Sequence, residues 1–421
     1  MKRNIFAQNP DGQPGFLQNK SLLVVSHRYS HFTKEQIDEI SEFVDEVHVY
    51  PRYNRFTDLS RFLDWGVLKK YGKHDKIATE RPDNVYVYPT PLTYLPINLW
   101  YQHLGKHHYL ALRRYLSRNP TEFDMVHSHF TWSAGYAGAR IANDLCIPSV
   151  LTIHENEERL HEELSWDNSM VDWTLENTDA LIRVNKKDCE RLLEFNERVY
   201  SIPNGFDRDR FPLYEVADAR NSLGLPEDSK VIFSLGGLIS RKRFDLLIDA
   251  VSDVDYDGDL ICAIAGRGPL REDLEARIQR KALNIDVRIL GYLSDEKLAK
   301  WMNACDIFAL ASESEGNPTV MFEALGCGKP YVGTDVGGVS EVINSDDYGL
   351  ICPPASEEEL TEILERALER NWNRDDILDY ASNYTWEKIV KRVSAVYRDV
   401  LDVSEQSPRH LDSEIQSIKS E

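Results

Sequence analysis

The sequence predicts an α/β protein made of two doubly wound parallel sheets in series. Three observations carry that expectation. Short apolar runs of strand length alternate with longer, helix-compatible stretches, the pattern of parallel sheets with helices on both faces. A chain of 421 residues is too long for a single core. The alternation breaks once, near Ile202-Pro-Asn-Gly-Phe-Asp207, where turn residues accumulate, and then resumes.

In the first half, Ser21 to His27 is the first strand, and Thr33 to Val44 follows with Ile37, Ile40, Phe43 and Val44 at helical spacing. Further strands are expected at Val47–Tyr50, Val85–Tyr88, Met125–His129, Ser149–Ile153, Ala180–Val184 and Val199–Ile202. Open parallel sheets bind ligands outside the carboxyl ends of their strands. His27, His127, His129 and His154 all fall at such ends, and histidine can hydrogen-bond a ligand near neutral pH. A polar residue ending a buried strand is also simply where the chain meets water, so position alone does not choose among them.

Residues Arg208 to Ser229 read as a linker holding one short helix around Val216 to Leu223. Strands resume at Lys230–Leu235, Leu260–Ala265, Asp286–Leu290, Asp306–Ala311 and Pro330–Thr334. Connecting helices are expected over Arg243–Val251, Leu270–Leu283 and Asp295–Asn303. The chain thus reads as two Rossmann-like domains, residues 1–203 and 204–382, with a cleft between them. Residues 404–421 are polar and charged and read as a flexible tail.

Composition narrows the class. Hydrophobic residues at 42% and aromatics at 10% are ordinary for a globular protein. A net charge of −21 argues against a general nucleic-acid binder, which needs a basic face. The six cysteines are scattered without a Cys-x-x-Cys pair, as expected of reduced core thiols in the cytoplasm. No run approaches 18 apolar residues, and the first ten residues lack a signal core. One segment stands apart in so acidic a chain. Residues 94–118 carry Lys106, Arg113, Arg114, Arg118, three histidines and a cluster of large aromatics including Trp100, Tyr101, Tyr109 and Tyr115, but no Asp or Glu. Such a stretch fits peripheral contact with the inner face of the cell membrane, and equally a helix packed on the sheet with snorkelling arginines.

The densest site signal lies at Ser312 to Gly328. A helix is expected there, with Asn317 as N-cap, Pro318 first and Gly326 or Gly328 ending it. The amides of Thr319 and Val320 then form an anion site suited to phosphate, bracketed by Glu315 and Glu323. After Leu235 comes Gly236-Gly237-Leu-Ile-Ser-Arg241-Lys242-Arg243, a glycine turn that lets backbone approach a ligand, then three cations suited to an anion. Gly266-Arg-Gly-Pro is a second tight turn, weak alone as a signature. Ser294 can cap the next helix, and Tyr292 can sit against a base. Asp253 to Asp259 mimics a calcium loop but has no Glu at position 12.

Five motifs in fixed order resemble the retaining glycosyltransferases of family 4, which have the GT-B fold. They are Ile202-Pro-Asn-Gly-Phe-Asp, Leu235-Gly-Gly-Leu-Ile-Ser-Arg-Lys, Ala265-Gly-Arg-Gly-Pro-Leu, Leu290-Gly-Tyr-Leu-Ser-Asp-Glu-Lys-Leu, and Glu315-Gly-Asn-Pro-Thr-Val-Met-Phe-Glu-Ala-Leu-Gly-Cys-Gly-Lys-Pro. The first half resembles the family only in layout and in His127-Ser-His129. Residues 383–403 resemble its final helix, which crosses back to the first domain. The resemblance implies a nucleotide diphosphate sugar as donor, UDP favoured, and a saccharide or lipid-linked glycan as acceptor, with no metal or other cofactor. It implies surface polysaccharide or glycoprotein glycan synthesis as the setting. It further implies that Glu315 contacts donor-sugar hydroxyls, Glu323 holds the ribose, Lys242 neutralises the diphosphate with the amides of Thr319 and Val320, His129 touches the sugar near the reacting carbon, and Tyr292 meets the base through its backbone.

Two departures stand out. The family usually has an arginine where this chain has Gly237, a charge that Arg241 or Arg243 is expected to replace. It also usually has a glycine-rich loop after the first strand, where this chain has His27-Arg-Tyr-Ser-His-Phe. A sugar-nucleotide epimerase of the same fold and a catalytically silent sugar-nucleotide binder are the competing readings.

Overall fold

The computed structural model describes residues 14–59, 76–94, 98–166, 168–281 and 285–406. The chain forms two compact units, residues 1–203 with 386–421, and residues 204–385.

The first unit holds an eight-stranded sheet of β1 (Ser21–Ser26), β2 (Glu46–Asn54), β3 (Val85–Val87), β4 (Thr90–Leu92), β5 (Met125–His129), β6 (Ser149–Ile153), β7 (Ala180–Arg183) and β8 (Val199–Ser201). The order is β3-β2-β1-β5-β6-β7-β8, with β4 pairing β2 and every pairing parallel. Leu22 to Val25 are wholly buried, as a parallel strand covered on both faces requires. β2 runs past the expected end at Tyr50, although Pro51 has no amide to donate. Arg52 and Asn54 instead pair in register with Thr90 and Leu92 of β4, so tertiary partners extend a strand whose own residues turn polar.

The helix Trp386–Gln406 belongs to this unit. Its Trp386 Nε1 donates to Glu35 at 2.8 Å, and its Tyr397 hydroxyl hydrogen-bonds His127 at 2.6 Å. It starts later than residue 383, because Tyr384 stays with the second unit, accepting from Phe206 N at 3.1 Å. It also extends three residues into the stretch read as a tail; from 407 onward that stretch lies outside the described residues.

The second unit holds a six-stranded parallel sheet of β9 (Lys230–Leu235), β10 (Leu260–Ala265), β11 (Asp286–Gly291), β12 (Ile307–Leu310), β13 (Tyr331–Thr334) and β14 (Gly349–Cys352). Its order is β11-β10-β9-β12-β13-β14. β14 was not expected, since four residues after a turn carry too little periodicity. Phe233, Phe308, Met321 and Phe322 pack on one face, and Ile232, Leu247, Ile264 and Leu364 on the other. Chain direction across the sheet reverses between β9 and β12. The loops leaving these two strands therefore diverge at a switch point, where doubly wound sheets bind ligands. Cys262, Cys305, Cys327 and Cys352 are buried and free, and burial pushes their thiols up to about 12.

Candidate functional site

The loops after β9 and β12 meet through charge. Glu315 is buried, and its carboxylate accepts from Lys242 Nζ at 2.5 Å, Arg241 Nη1 at 2.8 Å and Ser312 Oγ at 2.8 Å. Arg241 Nη1 also donates to Ser314 O at 2.8 Å, and its main-chain oxygen accepts from Glu313 N at 2.8 Å. Burial pushes the Glu315 carboxyl up, but the Lys242 and Arg241 cations outweigh it and hold the group below the usual carboxylate range. Glu315 is therefore a fixed anion. Arg243 points elsewhere, pairing with Asp245 at 3.2 Å. Of the two candidates for the charge absent at Gly237, only Arg241 stands in the cluster.

The helix after this loop is Thr319–Gly326, and Pro318, not Asn317, occupies its cap position. Asn317 is diverted: its Oδ1 accepts from Asn204 N at 3.1 Å, and its main-chain oxygen accepts from Asn204 Nδ2 at 2.8 Å. An oxygen so engaged does not turn back to cap its own helix. The amides of Thr319 and Val320 lie in the first turn, before any i−4 carbonyl of the helix can reach them. At the other end, a Cβ on Gly326 would come 2.3 Å from the Phe206 ring. The segment around Asn204 and Phe206 thus clamps both ends of the helix. Glu323 is buried, and Arg210 Nη1 donates to its Oε1 at 3.2 Å while Arg210 Nε reaches Asp295 at 3.1 Å.

The glycine turns bring backbones together. A Cβ on Gly266 would lie 1.8 Å from Gly236 O, so the loops leaving β9 and β10 cross at a distance that only glycine permits. Gly236 rests against the Lys242 stem, whereas a Cβ on Gly237 would meet nothing nearer than 3.9 Å. Tyr292 is 65% exposed, with the Arg267 guanidinium 4.6 Å from its ring centroid. Ser294 caps Asp295–Ala304 as expected.

In the first unit, hydrogen bonds separate the strand-end histidines. Both nitrogens of His127 are engaged, Nδ1 by Tyr397 and Nε2 by Thr152 Oγ1 at 2.8 Å, so it is a structural residue. His129 Nδ1 pairs with His154 Nε2 at 3.0 Å, while its Nε2 is buried with no hydrogen-bond partner among the described residues. Burial pushes His129 down to about 3, so it is a neutral hydrogen-bonding group and not a proton donor at pH 7. Phe130 follows with φ of 75°, a conformation costing about 1–3 kcal/mol, held by Phe130 N on Thr152 O and Thr131 N on Glu155 Oε1. His27 stacks on Phe130 with ring centroids 4.5 Å apart.

The family model described as Glycosyltransferase Family 4 matches residues 46–210, and that described as Glycosyl transferases group 1 matches residues 215–384. The chain belongs to glycosyltransferase family 4. An uncharacterized glycosyltransferase of Methanocaldococcus jannaschii is 28% identical over 284 residues, 66% of this chain and 76% of that one. Sucrose-phosphate synthase from Thermosynechococcus elongatus superposes with a TM-score of 0.74 at 20% identity, covering 92% of this chain and 100% of the other. Anabaena HepE in complex with UDP and glucose does so with a TM-score of 0.66 at 18% identity, covering 90% and 100%. These two likenesses are of fold, which is GT-B.

Within this family 4 chain, sequence reading missed residues that order the charged groups and loops of each unit taken by itself. Arg210 sat in an apparent linker. Asn204 was seen only as part of a turn motif. Glu155, just after His154 in the first unit, carried no local pattern at all. Only the turn chemistry around Asn204 could have signalled any of them.

Proposed function

We propose that the protein is a retaining hexosyltransferase. It moves a sugar from a nucleotide diphosphate donor, UDP favoured, to a saccharide or lipid-linked glycan, without a metal ion. The observation that carries this reading is the cluster of Lys242, Arg241 and Glu315 beside the first-turn amides of Thr319 and Val320, at the switch point of the second sheet. Breaking the bond between sugar carbon and diphosphate oxygen leaves negative charge on the departing oxygen. Fixed cations and amides stabilise that charge, and each such donor is worth about 3–4 kcal/mol. The anionic Glu315 orders both cations in advance and is itself placed to accept from sugar hydroxyls. Glu323, ordered by Arg210, takes the ribose. The acceptor oxygen then bonds to the sugar carbon on the face the diphosphate leaves, and the acceptor proton passes to a phosphate oxygen. The UDP preference is supported by the shared fold with a UDP-bound neighbour.

Thermal shift with UDP-, GDP- and ADP-sugars tests the donor, since a bound ligand stabilises the fold with occupancy. Mass spectrometry then tests for transfer or slow donor hydrolysis. Tight binding with neither reaction would leave a silent sugar-nucleotide binder.

We further propose peripheral membrane contact through the helix Leu104–Arg118. Among the described residues, no helix is long and apolar enough to cross a membrane. His103, just before that helix, and Lys106, His107, Leu110, Arg113, Arg114 and Arg118 on it are exposed along one side, while Leu104, His108 and Leu112 are buried. Flotation on anionic vesicles should weaken when Arg113, Arg114 and Arg118 are changed to Gln; unchanged flotation would remove the idea.

A further inference from the structure

Four half-buried rings gather at the carboxyl ends of the first unit's strands. His27 follows β1, Phe32 lies in the first turn of the helix His31–Ser41, Phe130 follows β5 and His154 follows β6. Phe130 stands at their centre. His27 stacks parallel to it with ring centroids 4.5 Å apart, while His154 and Phe32 tilt against it at 5.1 and 6.3 Å. Phe32 and His154 also meet, at 5.0 Å. His27 and Phe32 both come from the loop that stands where the family usually has glycines.

The Phe130 backbone is held where an aromatic residue is rarely found. Its φ of 75° lies in the left-handed region, which a Cβ makes costly and glycine enters freely. Its own amide donates to Thr152 O at 2.9 Å, and its carbonyl accepts from Gly135 N at 2.9 Å. The next amide, Thr131 N, donates to Oε1 of the buried Glu155 at 2.8 Å. Three hydrogen bonds thus fix a costly conformation, and the residue carried there is a large ring left partly open. Strain held in this way collects at sites where a side chain must be aimed at a ligand.

The imidazoles beside the ring are neutral. Burial first, then Arg52, Lys76, His108 and Arg28, push His27 well down, and burial pushes His129 to about 3. Both can therefore hydrogen-bond at pH 7 but carry no charge for an anion. Nε2 of His27 and Nε2 of His129 are buried without a hydrogen-bond partner among the described residues. The face of an aromatic ring is the negative side of its quadrupole. It attracts the weakly positive C–H groups on one side of a pyranose ring, while the sugar's hydroxyls suit neutral imidazole nitrogens. A phosphate or carboxylate finds no such match on Phe130.

We propose that Phe130, backed by His27, is the surface on which a sugar ring of the acceptor rests, so that the group receiving the transferred sugar is itself a saccharide. This names the acceptor class of the transfer proposed above and rests on that reading. The ring lies at the carboxyl ends of a parallel sheet, where such folds bind their ligands. Partly open aromatic faces set among a few hydrogen-bonding groups are the usual make-up of a small-molecule site. The loop His27 to Phe32, in place of glycines, supplies the rings packed behind and beside Phe130.

The test uses the full chain with whichever of UDP, GDP and ADP stabilises it. Methyl α-glycosides of glucose, mannose and galactose are titrated and followed by saturation-transfer NMR. Wild type should bind at least one of them, with transfer strongest to the C–H protons of one ring face. Phe130→Gly and Phe130→Leu should each weaken that binding by roughly fivefold or more. Melting curves show whether each variant is folded, and Phe130→Gly stands if Phe130→Leu does not, because glycine takes a φ of 75° without strain. Thermal shift with the nucleotide sugar should be the same in wild type and in Phe130→Gly. A shift that falls in the variant would give the ring to the donor's sugar and overturn the acceptor assignment. Absence of glycoside binding by wild type, or equal binding by a folded Phe130 variant, overturns the surface itself. A chain that binds a glycoside through Phe130 yet shows no nucleotide shift would support the surface and remove the donor reading instead.

Discussion

Replacing Lys242 by Ala separates what the cation does for the fold from what it does for transfer. In the folded chain Glu315 is buried, and Lys242 is one of three groups donating to its carboxylate. Stripping every counter-charge from a buried ion pair costs about 3–5 kcal/mol. Here Arg241 and Ser312 remain, so the loss is nearer that of one charge-assisted hydrogen bond, about 1.5–3 kcal/mol. For a unit of this size that lowers Tm by roughly 3–12 °C, at 2–4 °C per kcal/mol. The chemical loss is separate. A fixed positive donor absent when charge develops on the diphosphate costs about 3–4 kcal/mol, or roughly 10²–10³ in kcat. The assay is donor hydrolysis or transfer by mass spectrometry, run well below the variant's measured Tm so that every molecule counted is folded. A variant that melts earlier but keeps kcat within a factor of a few would show Lys242 to be only the counter-ion of Glu315, and the assignment to the diphosphate would fall.

Other consequences can be checked alongside. Arg241→Ala should slow transfer, and adding Gly237→Arg to it should restore part of the rate, because a Cβ at 237 would meet nothing nearer than 3.9 Å; no recovery in the double variant would show that Arg241 does not replace the absent charge. Gly326→Ala drives a methyl into the Phe206 ring, and overpacking of this kind costs about 1–3 kcal/mol; a melt showing an unchanged or raised Tm would contradict the packing of that helix. Acid should destabilise the first unit. The folded pKa values of His129 and His108 are about 3, below the unfolded value near 6.5, so as pH falls below 6.5 the unfolded state takes up protons first. Each such histidine then removes up to about 1.4 kcal/mol of stability per pH unit. Glu155 and Glu163 act with the opposite sign, since their carboxyls are raised in the fold and bind protons first there. Between pH 7 and pH 5 the Tm of His129→Gln should change less unfavourably than that of wild type; equal slopes in the two would refute a buried neutral His129.

Much of this molecule was legible in its sequence. The boundaries of Met125–His129, Ser149–Ile153, Lys230–Leu235 and Leu260–Ala265 agree residue for residue with the apolar runs, because a parallel strand buried on both faces writes its burial into its own residues. The helix Val216–Leu223 and the Ser294 cap are likewise local matters of turn chemistry and spacing. Glu315, Glu323 and Lys242 could be named in advance because each sits in a contiguous motif at a strand end. What sequence could not show is which strand ends lie side by side. Strand order places Lys242 against Glu315 across 73 positions and diverts Asn317 from its helix to Asn204 across 113. Periodicity is set by each element's own burial and hydrogen bonds, whereas the company a charged side chain keeps is set by topology, and only the folded chain contains that.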